Sequence, residues 1–324
     1  MEQKLKRIAV LTSGGDAPGM NAAVRAVVRA GIGLGAEVYG FYHGYQGLIG
    51  GEYKKMDSQS VGGILSQGGT VLHTARSTEF KTPEGRTQAY QHLLESGIEG
   101  LVVIGGDGSL SGAQVFSEEH RVAIVGVPAS IDNDISGTEY SIGFDTAVNT
   151  GLEAIDKIRD TAYSHERVFV IEVMGRNNGF IALEVALSCG AEACLIPEVP
   201  YRLEDVCEDL RNMRRRGKRS SIIVVAEGAA RAQDVQEFIA DHTGFEVRYT
   251  VLGHMQRGGR PTAFDRVLAL RLGVAATERL IAGYSNEMVG MDGGRVVSHP
   301  LGYVLVTEKT MEPEKLRLVG VMSQ

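Results

Sequence analysis

The sequence predicts a parallel, doubly wound α/β fold, and three observations carry that prediction. Short runs of β-branched residues recur along the 324 residues, each closed by glycine or a polar turn. Stretches with helical periodicity lie between them. Four polar clusters, Gly14-Gly15-Asp16, Gly105 to Gly108, Asp132 and Met174-Gly175-Arg176, follow directly on such runs, where ligands sit in sheets of this kind.

Ile8 to Leu11 is the first strand, without a polar face and so covered on both sides. Asn21 to Ala30 is the helix after it. Leu101 to Ile104 is a strand that stops at Gly105, and Val122 to Val127 is the next. Over Asp145 to Ala162, Val148, Leu152, Ile155 and Ala162 fall near one face of a 3.6-residue period, which makes this segment a helix. Val168 to Val173 and Ile222 to Val225 complete the strands. The length suggests about two domains. No repeat, low-complexity tract or Pro-rich linker marks a boundary.

An apolar fraction of 43% is enough for ordinary cores, and 33 basic against 40 acidic residues, net −7, exclude broad attraction to nucleic acid or anionic lipid. Phosphate binding must be local. Cys189, Cys194 and Cys207 are odd in number and lack zinc spacing, so neither a disulfide framework nor a metal cluster is expected. The segment from Met1 runs into an apolar stretch too brief for a secretory signal, and no stretch has the length of a membrane span. The expected location is the cytoplasm.

Gly105-Gly106-Asp107-Gly108 after a buried strand lets phosphate oxygens approach main-chain N–H groups with no Cβ in the way, and Asp107 offers a hard oxygen to Mg²⁺. Asp132 and Asp134 flank Asn133; in an extended segment they project to one side, a pattern expected of a base or of groups facing a metal and a sugar. Asx-turn chemistry is the plain alternative. Together the two clusters point to phosphoryl transfer with Asp132 as the base. The turn from Thr12 to Asn21 fits a structural connection as well as a phosphate site. Arg76, Arg167, Arg176, Arg248 and Arg257 each read alone as solvated, but Arg257, beside paired glycines and near His254, looks like an anion clamp. Arg214 to Arg219 reads as a helix end with Gly217 as its left-handed residue; a small phosphorylated effector is the competing reading.

At these residues the chain closely resembles the bacterial, ATP-dependent 6-phosphofructokinases, from about Arg7 to about Gly302. The motifs are Leu11 to Asn21, Gly105 to Ser109, Ile131 to Asp134, Val173 to Arg176 and Leu252 to Gly259. The resemblance implies two doubly wound, Rossmann-like α/β domains with the active-site cleft between them: 1–143 plus 256–306 for ATP, and 144–255 plus 307–324 for fructose 6-phosphate. It implies Mg²⁺-dependent transfer of the ATP γ-phosphoryl group to the 1-hydroxyl of fructose 6-phosphate by a homotetramer. Gly15, Tyr45, Arg76, Ser77, Gly106, Gly108, Ser109 and Gly112 would hold the nucleotide, with Asp107 on the metal. Ser130, Asp132, Asp134, Met174, Gly175, Arg176, Glu227, His254 and Arg257 would hold the sugar phosphate. Arg167 and Arg248 would reach the 6-phosphate from a neighbouring subunit. Asp132 would take the hydroxyl proton while Arg76 and Arg176 neutralise charge and Gly15 aligns the transferring group, with Ser130 also in the catalytic set.

The resemblance also bears on donor and effector. Pyrophosphate-using relatives carry aspartate at the position of Gly108 and lysine at that of Ala129, so ATP is the expected donor. Ala129-Ser130 replaces the usual glycine and threonine, Ser77 an aromatic residue, and Lys81 an arginine. An ADP or phosphoenolpyruvate effector would meet Arg25, Arg29, Arg159, Glu192, Arg216, Gly217 and Lys218. Ser58, Gly62 and Gly63 depart from the charged or polar residues of that site, so a weakened effector response is expected. The rival functions are a pyrophosphate-dependent phosphofructokinase and a catalytically silent sensor of nucleotide or sugar phosphate. A nicotinamide oxidoreductase is disfavoured by the missing dinucleotide fingerprint.

Overall fold

The structure is a computed structural model that describes residues 5–322. Met1 to Lys4 of the amino-terminal segment, and Ser323 and Gln324 of the tail, lie outside the described residues. The chain divides into two compact units, Met1–Thr146 with Arg257–Lys309, and Ala147–Gln256 with Thr310–Gln324.

In chain order the elements are β1 (Arg7–Ser13), α1 (Met20–Gly33), β2 (Glu37–Phe41), α2 (Gly44–Gly50), β3 (Tyr53–Met56), α3 (Pro83–Ser96), β4 (Gly100–Gly105), α4 (Asp107–His120) and β5 (Ala123–Pro128). There follow α5 (Phe144–His165), β6 (Val168–Val173), α6 (Phe180–Cys189), β7 (Ala193–Leu195), α7 (Leu203–Arg215), β8 (Ser221–Ala226), α8 (Ala232–Thr243) and β9 (Val247–Val251). The chain closes with α9 (Ala263–Ile281), β10 (Glu287–Asp292), β11 (Arg295–Pro300), α10 (Leu301–Val306) and α11 (Pro313–Met322).

The first unit holds a seven-stranded sheet of order β11-β10-β5-β4-β1-β2-β3. Its centre is parallel, while β3 and β11 are antiparallel edges. Ile8 to Leu11 and Leu101 to Ile104 are fully buried, because helices cover both faces of a parallel sheet and leave no side of the strand for polar residues. From β1 the chain runs outward through β2 to β3, then returns to β4 on the other side of β1. The topological switch point therefore lies between β1 and β4, where open α/β sheets bind ligands.

The second unit holds a four-stranded, wholly parallel sheet of order β7-β8-β6-β9, packed through Val168, Val170, Ile223, Val225, Val235 and Ile239. Helix α7 stops where the basic run predicts, with Gly217 at φ +95° and the Lys218 N–H on Met213 O. Strands β2, β3, β7, β9, β10 and β11 are not named by the sequence pattern. Except for β10, whose Met288 to Met291 are buried, they are short or half-exposed: β3 carries Lys54 and Lys55 in solvent, and β9 buries only Val247.

Candidate active site

Ser13 pairs with Gly105 at the carboxyl ends of β1 and β4, so the two glycine turns leave the sheet side by side, about 5 Å apart. A Cβ on Gly105 would stand 2.5 Å from the Ser13 carbonyl oxygen and 2.7 Å from Ser109 Oγ. Only glycine lets α4 start this close to β1. Gly106 is the residue before α4, Asp107 opens the helix in solvent, and Ser109 and Leu110 return their N–H groups to Gly106 O. The first N–H groups of a helix have no carbonyl of their own and aim past its end, the direction from which an anion approaches. A Cβ on Gly108 would meet nothing within 4 Å, so that approach is open.

The β1 turn faces this opening. Gly14 has φ +88°, and a Cβ on Gly15 would fall 2.6 Å from Arg257 Nη1, which places that guanidinium over the turn. The anion clamp read at Arg257 thus lies beside the first glycine turn. Thr74 Oγ1 donates to Gly14 O (2.7 Å) and ties down the segment that carries exposed Arg76. Ser77 Oγ donates to Gln46 Oε1 and accepts from the Phe80 N–H. Tyr45 is buried: its ring stacks on Phe80 at 3.9 Å and its hydroxyl donates to Ser109 O (2.5 Å). A Cβ on Gly112 would press to 3.1 Å of the Tyr45 ring. Tyr45 and Gly112 support α4 from beneath.

Asp132 follows β5, the strand next to β4, and is 4% exposed. The Ala129 N–H bonds to Gly105 O at 3.0 Å, which couples this loop to the second glycine turn. Ser130 Oγ accepts from the Asp132 N–H and donates to Asp134 Oδ1 (3.2 Å). The expectation of an extended segment with both carboxylates on one side is corrected here. Asn133 has φ +53°, so the two-residue alternation does not hold. Its Oδ1 accepts from the Ser141 N–H and its Nδ2 donates to Glu139 O, which compensates the left-handed conformation. Beneath the loop Asp265, without solvent exposure, accepts from the N–H groups of Gly143 and Thr146 and from Thr146 Oγ1. Burial pushes its carboxyl up to about 6 despite these donors.

Among the described residues no three His, Cys, Asp or Glu side chains gather as a metal cage. A single exposed carboxylate, Asp107, beside open main-chain donors fits Mg²⁺, which keeps water and phosphate oxygens as most of its ligands.

In the second unit the turn after β6 is built around Glu227. Its Oε1 accepts from the N–H groups of Gly175 (3.2 Å) and Arg176 (2.7 Å), holding Arg176 at φ +52°. Met174 N–H donates to Gln256 Oε1 at 2.8 Å, and Gln256, fully buried, donates in turn to Ala147 O. His254 is exposed in the short 3₁₀ turn Gly253–Arg257 after β9. Met174, Gly175, Arg176, Glu227 and His254 thus all follow the carboxyl ends of strands.

Arg167 and Arg248 do not join them. Arg167 immediately precedes β6, and Arg248 is paired with Phe169 near the start of β9. Six residues of strand at roughly 3.3 Å each put about 20 Å between that edge and the carboxyl ends. One chain does not bring these arginines beside its own Arg176 turn. Of the residues expected to meet an effector, Glu192 (2% side-chain exposure) pairs with Lys218 at 2.5 Å, and Arg159 Nη2 donates to Cys189 O. Arg216 and Gly217 are exposed beside Lys218, whereas Arg25 and Arg29 belong to α1 of the first unit, where Arg25 donates to Val61 O.

Asn133, Gln256, Asp265 and Thr74 escape sequence reasoning. Asn133 had a usable signal, since asparagine tolerates the left-handed region. Asp265 had none, because its partners lie about 120 residues away.

The Phosphofructokinase family profile matches residues 7–280. The chain is 56% identical over 321 residues to the ATP-dependent 6-phosphofructokinase 1 of Thermus thermophilus, covering 98% of this chain and 100% of that one. It is 53% identical over 319 residues to the ATP-dependent 6-phosphofructokinase of Thermotoga neapolitana, with the same coverage. A solved phosphofructokinase from Saccharomyces cerevisiae superposes with a TM-score of 0.89 at 41% identity, covering 93% of this chain and 45% of that chain.

Proposed function

The chain belongs to the phosphofructokinase family, and on that premise we infer that it is an ATP-dependent 6-phosphofructokinase. It transfers the γ-phosphoryl group of ATP to the 1-hydroxyl of fructose 6-phosphate, a step of glycolysis that yields fructose 1,6-bisphosphate and ADP. The observation that carries the reading is the switch point: two glycine turns on adjacent strands, Asp107 at the open end of α4, and buried Asp132 in the loop after the next strand, β5. The pyrophosphate-dependent reading is not favoured, since Gly108 leaves room for an adenosine-bearing phosphate and Ala129 adds no charge.

Gly15, Gly106, Gly108 and Ser109 line the place of the phosphate chain, with Arg76 and Ser77 toward the nucleoside and Tyr45 and Gly112 behind. Asp107 would hold Mg²⁺, which when bound neutralises phosphate charge. Ser130, Asp134, Met174, Gly175, Arg176, Glu227, His254 and Arg257 hold the sugar phosphate. Asp132 accepts the proton of the 1-hydroxyl as that oxygen bonds to phosphorus and the bond to ADP breaks. The guanidinium groups of Arg76 and Arg176 stabilise the charge that develops.

In this reading Arg167 and Arg248 serve the 6-phosphate in a neighbouring subunit of a homotetramer. Their place at the amino edge of the sheet supports it. So does β9, an edge strand whose exposed Tyr249 and Val251 offer apolar surface for a second copy to cover. ADP or phosphoenolpyruvate is the proposed effector at Arg25, Arg29, Arg159, Glu192, Arg216, Gly217 and Lys218, with a weakened response. No helix among the described residues is long and apolar enough to cross a membrane, and the proposed location is the cytoplasm.

A coupled assay with fructose 6-phosphate, Mg²⁺ and either ATP or pyrophosphate, with and without ADP and phosphoenolpyruvate, tests the reading. ATP should support turnover, and Asp132→Asn should lower kcat about 10²–10⁴-fold with little change in the KM for ATP. Near-normal turnover in that variant removes Asp132 from the base role. Turnover with pyrophosphate alone overturns the donor.

A further inference from the structure

At the amino edge of the second unit's sheet, Glu246 Oε1 accepts from Arg167 Nη2 at 2.8 Å and from Arg248 Nη2 at 2.7 Å. Two guanidinium nitrogens within 2.8 Å of one oxygen lie within about 5.6 Å of each other. That is the reach of donors that share a single phosphate group. The backbone sets this up: Glu246 O accepts the Val168 N–H, so Glu246 stands beside Arg167 across the β6–β9 pair, and Arg248 follows two residues on. Glu166, the acid next to Arg167, is engaged by Arg219.

Arg167 Nε is buried without a hydrogen-bond partner, while Arg248 is 57% exposed. A buried guanidinium N–H without an acceptor is costly, so this pose of Arg167 is one that a ligand with more oxygens improves on. The hydrogen bond from Arg167 holds the Glu246 carboxyl below its usual range, so it is an anion at neutral pH.

We propose that Glu246 is an internal anion standing at the phosphate position of the Arg167–Arg248 pair, which a sugar 6-phosphate must displace, so that Glu246 sets the affinity for that substrate. This rests on the assignment of Arg167 and Arg248 to the 6-phosphate. A phosphate dianion meets both guanidinium groups with three oxygens where the carboxylate offers one. Displacement leaves the carboxylate, half-exposed, to water. The exchange discriminates against weaker anions, since a ligand without a dianion gains little over Glu246.

The test is Glu246→Gln in the full chain, assayed against fructose 6-phosphate at saturating ATP. Glutamine keeps the shape and one acceptor oxygen but removes the charge. The KM for fructose 6-phosphate is expected to fall by roughly twofold to fivefold, the scale of a half-exposed ion pair, while kcat and the KM for ATP hold. Inorganic phosphate, used as a competitive inhibitor, should gain affinity by a like factor, and Glu246→Ala should move the same way. A raised KM would mean that Glu246 steadies the arginines and does not compete, and an unchanged KM would mean that it does neither; both overturn the proposal. Arg248→Ala separates this from the underlying assignment. If that variant leaves the KM for fructose 6-phosphate unaltered, the arginines do not serve the 6-phosphate.

Discussion

A methyl group placed on Gly108 separates what this glycine does for the fold from what it does for the ligand. The added Cβ meets nothing within 4 Å, the backbone is outside the left-handed region, and the residue sits in the first turn of α4. Folding should gain, because replacing glycine by alanine at a helical position is worth about 0.5–1 kcal/mol. In a unit of this size that raises Tm by about 1–4 °C. Nucleotide binding should lose. The same methyl stands where phosphate oxygens must approach the main-chain donors at the end of α4, and one charge-assisted hydrogen bond forfeited costs about 1.5–3 kcal/mol. This corresponds to a rise of about 10- to 150-fold in the KM for ATP. Thermal unfolding and a coupled assay of Gly108→Ala read the two effects on one preparation. A lowered Tm with an unchanged KM would refute the reasoning, since the glycine would then serve the turn and not the phosphates.

Truncation of Glu227 to alanine leaves the N–H groups of Gly175 and Arg176 without their acceptor and frees the left-handed Arg176 turn. It should lower kcat/KM for fructose 6-phosphate by about tenfold or more while sparing the KM for ATP, with part recovered in Glu227→Gln, as initial rates in each substrate will tell. Asp265 predicts a pH dependence of stability. Its folded value, about 6, lies above the ordinary 3.8, so its stabilising contribution is full below about pH 4 and is lost as pH rises through 6. That interval amounts to about 3 kcal/mol. Denaturant unfolding should therefore show wild type losing ground against Asp265→Asn from pH 4 to 7, and a constant difference between the two would contradict the shift.

The fold and the chemistry were visible in the sequence to different depths. Buried parallel strands must be apolar on both faces, so β1, β4, β5, β6 and β8 announce themselves as continuous runs. Edge strands such as β3 and β9 need only half their residues buried and do not stand out. The glycine turns were readable because a close backbone approach tolerates no other residue, as Gly105 against the Ser13 carbonyl illustrates. The carboxylate loop was read with the wrong geometry: Asn133 takes the left-handed conformation through bonds to Ser141 and Glu139, which no local pattern announces.

By itself the sequence determined which residues can do the chemistry: hard oxygens at Asp107 and Asp132, glycines with room for phosphates, and arginines to meet negative charge. The identity of a side chain and its immediate neighbours sets these properties. Only the tertiary structure decided which of them share a place. Strand order puts the β1 and β4 turns together, Arg257 comes over Gly15 from the far end of the chain, and Arg167 and Arg248 stand at the opposite edge of their sheet from Arg176. Proximity across a hundred residues or more depends on how strands pair and helices cover them, and strand register is a property of the packed sheet as a whole.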